Sequence, residues 1–130
     1  MERSTLIGRL RALLVILPMW CIGLTTPAFS AELLMFEAPG CPWCLRWKQE
    51  VGIGYAKSPE GQRAPVRSVA LQPGAPPGVT LARPVNFSPT FVLVDDHGRE
   101  VGRITGYPGA DFFWGLFEAM TRKLPPGPAG

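Results

Sequence analysis

Hydrophobic positions along this chain fall into short runs broken by proline and glycine, and their spacing changes from run to run. Glu32 to Ala38 (ELLMFEA) has the length and continuity of a buried strand, and Pro39 and Gly40 end it. From Pro42 the period turns helical. Cys44, Trp47, Val51 and Tyr55 would share one face, and Pro42 suits the first helical turn. Gly52 and Gly54 weaken the end of that helix. Lys57 to Pro65 (KSPEGQRAP) reads as a loop, and Val66 to Leu71 (VRSVAL) as a second strand. Gln72 to Pro84 is rich in proline and glycine, which predicts an irregular connection. Thr90 to Val94 (TFVLV) is β-branched and apolar, a third strand. The DDHG turn, Asp95 to Gly98, leads into a hairpin partner, Arg99 to Tyr107. Gly109 to Leu124 reads as a final helix with Phe113, Leu116, Phe117 and Met120 as its apolar stripe, and Lys123 near its C-terminal end.

The order is thus β, helix, β, loop, β, β, helix. The first half implies a parallel crossover and the second an antiparallel hairpin covered by a helix. The fold class this predicts is α/β, in one domain spanning residues 31–124. No repeat and no second domain is visible, and residues 125–130 (PPGPAG) read as a frayed tail.

The first thirty residues follow a different pattern. Arg3, Arg9 and Arg11 precede an apolar run of 15 residues, Ala12 to Thr26, and Ala28 and Ser30 carry the small side chains that a signal peptidase accepts. This is the pattern of a secretory signal peptide cleaved near Ser30. The alternative is an uncleaved anchor facing the periplasm, but a span needs about 20 apolar residues and this run is shorter and holds Pro18. Cys21 does not sit in a lipidation context.

Cleavage changes the charge picture. The whole chain has 13 Lys and Arg against 10 Asp and Glu; without three arginines and one glutamate in the leader, 10 face 9. No basic stripe with interleaved aromatics remains, which speaks against nucleic acid as a partner. Cleavage also removes Cys21, leaving Cys41 and Cys44 in an oxidising compartment.

That pair, in Gly40-Cys41-Pro42-Trp43-Cys44, carries the candidate chemistry. A structural zinc site wants four ligands, and the mature chain offers at most these two and His97, which sits in a turn. Two thiolates can hold Cu(I), so a copper-delivery module remains an alternative, as does a static disulfide. A redox role has a positional basis. Cys41 precedes a helix, where unpaired backbone N–H groups favour a thiolate, while Cys44 lies one turn in on the buried side. An exposed thiolate that attacks and a buried one that resolves suit two-step exchange. Trp43, between the cysteines, is a candidate partner contact; Trp47 fits the core better. The Gly106 to Gly109 stretch (GYPG) either borders the site or simply separates strand from helix.

The second part of the pattern is NFSPTFVLVDDHG, which puts Ser88-Pro89 directly before the third strand. With GCPWC, in that order and strand context, the chain resembles the thioredoxin superfamily over about Glu32 to Lys123. The resemblance implies a minimal thioredoxin-like fold with a mixed four-stranded sheet and flanking helices. It implies that Cys41 and Cys44 are catalytic, and that a cis Ser88–Pro89 bond lies beside them. Pro89, flanked by Ser88 and Thr90, then shapes the substrate site, and Ser88 is free to pair with an extended substrate segment. The dithiol itself carries the electrons, so no cofactor or metal is implied. The motif departs from the Trp-Cys-Gly-Pro-Cys of cytosolic thioredoxin towards the glutaredoxin pattern, although no glutathione-binding residues are recognisable. Thioredoxin's buried aspartate falls at about Met35 here. Glu37, the nearest carboxylate, either substitutes as a proton relay or is a solvated strand-end residue.

LLMFEAPGCPWCLRW, SPEGQRAPV and VNFSPTFVLVDDHGREVGRITGYPG are also similar to the periplasmic SoxS-type thioredoxins of sulfur-oxidising bacteria. That resemblance implies a monomeric reductase for a periplasmic protein thiol or disulfide, a sulfur-oxidation carrier, fed by a membrane electron donor of the DsbD or CcdA type. A disulfide donor is the runner-up.

Overall fold

The computed structural model describes residues 30–126. The predicted leader and most of the predicted tail lie outside the described residues, among which no helix is long and apolar enough to cross a membrane.

Four strands form one mixed sheet: β1 (Glu32–Glu37), β2 (Val66–Ala70), β3 (Thr90–Val94) and β4 (Glu100–Thr105), in the order β2-β1-β3-β4. β1 runs parallel to β2, with Leu33 opposite Val66, and antiparallel to β3, with Leu33 opposite Leu93; β3 runs antiparallel to β4. β1 is central and apolar on both faces because both are covered. Leu33 and Met35 point into a large core with Phe91, Leu93 and the helices. Leu34 and Phe36 point the other way, into a smaller core with Val85, Val92 and Val94. Among the described residues no helix roofs that second core. The irregular connection between β2 and β3 does so, laying Val79, Leu81 and Val85 against it.

On the helical face, α1 (Pro42–Trp47) runs on through a π turn, Lys48–Gly52, into α2 (Ile53–Tyr55). Cys44, Trp47, Val51 and Tyr55 are all buried, as their spacing predicts. The glycines do not end this helix. At Gly52 a Cβ would lie 3.3 Å from the Trp47 ring, so the small residue lets that ring fold against its own helix. Trp47 anchors an aromatic cluster with Phe91, Phe113 and Tyr55 at ring separations of 5.2, 5.6 and 5.8 Å.

Two expectations need correction. The KSPEGQRAP stretch is not all loop: α3 (Pro59–Arg63) is a single helical turn. Ser58 caps it by accepting from the Gly61 N–H at 2.9 Å, and its hydroxyl donates to the Tyr55 carbonyl at 2.7 Å. A serine followed by proline is a helix-start pattern hidden by the loop-like composition. On α4 (Ala110–Thr121), Phe113, Phe117 and Met120 are buried but Leu116 is exposed. The buried stripe continues instead to Thr121 and Leu124, so the centre of the packed face lies away from Leu116, which sits beside exposed Phe112.

β4 carries a device that fixes the connection. Arg103 and Glu100 pair through two contacts, Nε to Oε1 at 2.6 Å and the second guanidinium nitrogen to Oε2 at 2.7 Å. Their side chains are only 8 % and 5 % exposed. The pair reaches out to the loop. Glu100 accepts from the Ala82 N–H at 2.7 Å, and Arg103 donates to the Arg83 and Pro84 carbonyls at 2.7 and 3.2 Å. The segment that ends at Ser88-Pro89 is thereby strapped to the sheet.

Candidate active site

The site forms where β1 gives way to α1. Gly40, at φ +71°, turns the chain in a left-handed conformation that suits glycine. Cys41 then takes the N-cap position, Pro42 enters the first turn, and the Cys44 N–H donates to Cys41 Sγ at 3.1 Å. Sulfur here occupies the place of a capping serine oxygen. A thiolate is a far better acceptor than a thiol, so this N–H favours the charged form of Cys41 once the pair is reduced. In this structure Cys41 and Cys44 are joined as a disulfide. Cys41 is part-exposed, whereas Cys44 is 2 % exposed.

Ser88 and Pro89 arrive from the strapped loop, joined by a cis peptide bond. Ser88 Oγ lies 3.2 Å from Cys44 Sγ and accepts from the Ala38 N–H at 2.9 Å. Because the disulfide sulfur carries no proton, the Ser88 hydroxyl is the donor to it. Ser88 makes no backbone–backbone bond among the described residues, so its N–H and C=O remain available beside the cysteines. Thr90 is placed differently. It is buried as the first residue of β3, and its hydroxyl donates to the Phe87 carbonyl at 2.7 Å, which helps shape the turn.

A groove of about 340 Å³ is lined by Trp43, the residue between the cysteines in sequence, and by Phe87, Pro89, Gly106, Tyr107 and Pro108. Trp43 is 50 % exposed and Phe87 56 %, and the two line one groove, so their exposed apolar surface is contiguous. The GYPG stretch therefore does border the site. The Gly106 N–H donates to the Pro89 carbonyl at 2.7 Å, tying the two loops together. Phe87 was not foreseeable from local pattern, since an aromatic before Ser-Pro is equally consistent with core.

Glu37 lines a second, larger cleft of about 670 Å³ on the β2 side, together with Cys41, Cys44, Lys48 and Ser68. Its carboxylate accepts from Lys48 Nζ at 2.7 and 2.9 Å. Partial burial alone would raise its pKa, but the bonds from Lys48 and Ser68 and the Lys48 charge outweigh burial and hold it below the ordinary glutamate value.

At the groove's outer edge Glu50 accepts from Arg46 and from the Tyr107 hydroxyl. The Tyr107 bond, then the Arg46 bond, lower its pKa. Burial first, and the neighbouring carboxylate second, push the Tyr107 phenol up to about 12. Glu50 is therefore ionised and Tyr107 protonated at neutral pH. An Arg–Glu spacing of four is legible in sequence; the tyrosine partner, 57 residues away, is not.

Comparison with known proteins places this geometry. Residues 31–121 match the family model described as a thioredoxin-like domain. Among solved structures the chain is similar to the periplasmic thioredoxin SoxS from Paracoccus pantotrophus in its reduced form. Identity is 46 % and the TM-score 0.69, over 72 % of this chain and 98 % of that one. The N-terminal domain of PilB from Neisseria gonorrhoeae aligns at 13 % identity and a TM-score of 0.47, covering 68 % of this chain and 76 % of that one. No curated protein matched the sequence.

Proposed function

The chain belongs to the thioredoxin-like family and is a thiol–disulfide oxidoreductase, and on that footing we propose that it is an exported reductase of one periplasmic protein partner. The observation that carries the reading is the asymmetry of the two cysteines. Cys41 is part-exposed and receives an N–H at its sulfur; Cys44 is buried beneath Ser88. In the reduced protein the Cys41 thiolate attacks one sulfur of a partner disulfide. A Cys41–partner disulfide forms and the partner's other sulfur leaves as a thiolate. Cys44, deprotonated, then attacks Cys41 Sγ. The Cys41–Cys44 disulfide forms, the partner's second sulfur leaves, and the partner has gained two electrons.

The groove gives the partner somewhere to lie. An extended segment beside Pro89 pairs with the free backbone groups of Ser88, while an apolar side chain packs between Trp43 and Phe87. The similarity to a periplasmic thioredoxin supports a periplasmic location. On this reading the leader is removed near Ser30 and the partner is a carrier protein of sulfur oxidation, as the sequence resemblance implies. Electrons then come from a membrane thiol donor of the DsbD or CcdA type, and the domain works as a monomer.

Two measurements test this. Cys44→Ala, added to a periplasmic extract, should capture a partner covalently through Cys41, and the adduct should be released by dithiothreitol. Failure to capture anything counts against the protein-partner reading. The reduction potential of the Cys41–Cys44 couple decides direction. A value near roughly −270 mV fits a reductase; one near roughly −120 mV makes the protein a disulfide donor instead.

A further inference from the structure

Arg46, Glu50 and Tyr107 form a bridge for which the exchange chemistry has no need. Arg46 Nε donates to Glu50 Oε1 at 2.7 Å, and the Tyr107 hydroxyl donates to Glu50 Oε2 at 2.6 Å. The Arg46 guanidinium also lies over the Trp43 ring, 5.5 Å from its centroid. One carboxylate thus commits both of its oxygens, and each commitment leads to a different wall of the groove. Trp43 lines it from α1 and Tyr107 from the loop after β4.

An Arg–Glu pair on a helix surface is ordinarily worth little, because water screens it and two long side chains must be held still. The Tyr107 contact changes that. The Tyr107 ring is buried against Phe113, with centroids 6.3 Å apart, so its hydroxyl is a fixed donor rather than a mobile one. A fixed donor on one oxygen orients the carboxylate, and the oriented carboxylate then orients the guanidinium. The guanidinium, planar and charged, stacks on an indole that is otherwise half in solvent. Glu50 itself sits in the π turn Lys48–Gly52, a local irregularity of the kind that often accompanies function.

We infer that Glu50 is a positioning residue, which through Arg46 and Tyr107 fixes the separation and tilt of the Trp43 and Tyr107 walls and so decides which protein segments dock beside Cys41. The inference rests on the reading of Cys41 as the attacking atom and of this groove as the docking surface. Glu50 moves no proton and touches no reacting atom. A small disulfide, which reaches Cys41 without filling the groove, does not depend on it; a protein disulfide does.

The test compares wild type with Glu50→Ala and Glu50→Gln on two substrates, insulin and a small aromatic disulfide, dithiobis-nitrobenzoate. Glu50→Ala should raise KM for insulin about five- to tenfold with kcat within about twofold, and leave the small-disulfide rate and the reduction potential unchanged. Glu50→Gln, which keeps an acceptor for one neighbour, should fall between. The Trp43 indole N–H resonance should shift and sharpen in Glu50→Ala as the ring gains freedom; this readout decides the matter even if insulin proves a poor substrate. An unmoved Trp43 resonance, or an equal loss on both substrates, overturns the inference. Cys41→Ser separates the two levels. If it still reduces either substrate, the docking reading itself has failed, whatever Glu50 does.

Discussion

Ser88 Oγ stands 3.2 Å from Cys44 Sγ and 2.9 Å from the Ala38 N–H, so one hydroxyl joins the buried sulfur to the end of β1. A disulfide sulfur is a weak acceptor and a thiolate a strong one. The hydroxyl therefore stabilises the reduced form more than the oxidised form. Ser88→Ala should make the couple about 10–30 mV more reducing, the equivalent of one net hydrogen bond of about 0.5–1.5 kcal/mol. Leaving the Ala38 N–H without its partner should also cost about 1–2 kcal/mol of stability. Equilibration against a glutathione or dithiothreitol series, with a parallel urea titration, reads both. A potential that stays put, or becomes less reducing, would show that Ser88 does not favour the reduced state.

The Glu100–Arg103 pair should contribute to the acid limb of stability. Burial pushes the Glu100 carboxyl up, but the Arg103 bond, the Ala82 N–H and the charges of Arg103 and Arg83 together hold it below the ordinary value of 4.5. A carboxylate with a depressed folded-state pKa stabilises the fold fully above its unfolded value and loses that contribution as pH falls through the folded one. Unfolding free energy should thus be flat above about pH 5.5 and decline below about pH 4.5. Glu100→Gln should flatten part of that decline. Arg103→Ala leaves a buried carboxylate unpaired and should cost about 3 kcal/mol at pH 7, with partial recovery in acid as Glu100 protonates. Urea titrations at pH 7 and pH 4 check the sign. A loss that grows in acid would contradict it.

Phe87 offers a cleaner separation of function from stability. Its ring is more than half exposed and lines the groove. Phe87→Ala should leave the melting temperature within about 2 °C, as surface changes do, and leave the potential unchanged. Affinity for a captured partner should fall several-fold, measured as slower adduct formation in the Cys44→Ala background. Unchanged capture would remove Phe87 from the docking surface.

Glu37 faces the same cleft as Cys44, yet Lys48 keeps it ionised with a lowered pKa. A base of low pKa takes up a proton poorly at neutral pH. Glu37→Gln should accordingly change the exchange rate at pH 7 by less than about threefold. A drop of tenfold or more, together with loss of one limb of the pH–rate profile, would assign Glu37 the relay.

How much of this was legible in sequence depended on distance along the chain. The Cys41–Cys44 asymmetry is local: Pro42, the helical period and the N-cap position are all within one turn, and the structure reproduces that placement. The strands were legible because β1 and β3 are apolar on both faces. The groove was only half legible. Trp43 is marked by its place between the cysteines, but Phe87 and Tyr107 join it only through the sheet order, which no local pattern encodes. Leu116 misled for a related reason. A helical period says which residues share a face, but the width of the covered face is set by the sheet beneath it. Ser58 was the opposite failure, a readable cap obscured by its loop-like neighbours.

The connection between β2 and β3 is an irregular loop by composition, yet it covers the smaller of the two cores before it delivers Ser88 and Pro89 to the sulfurs. An epitope tag or spacer inserted between Val79 and Val85, ordinarily harmless in a surface loop, would here expose Leu34 and Phe36 to water and displace Ser88 from Cys44 in the same stroke. Loss of solubility and loss of turnover should appear together in such insertions, because the molecule has no slack between its roof and its redox centre.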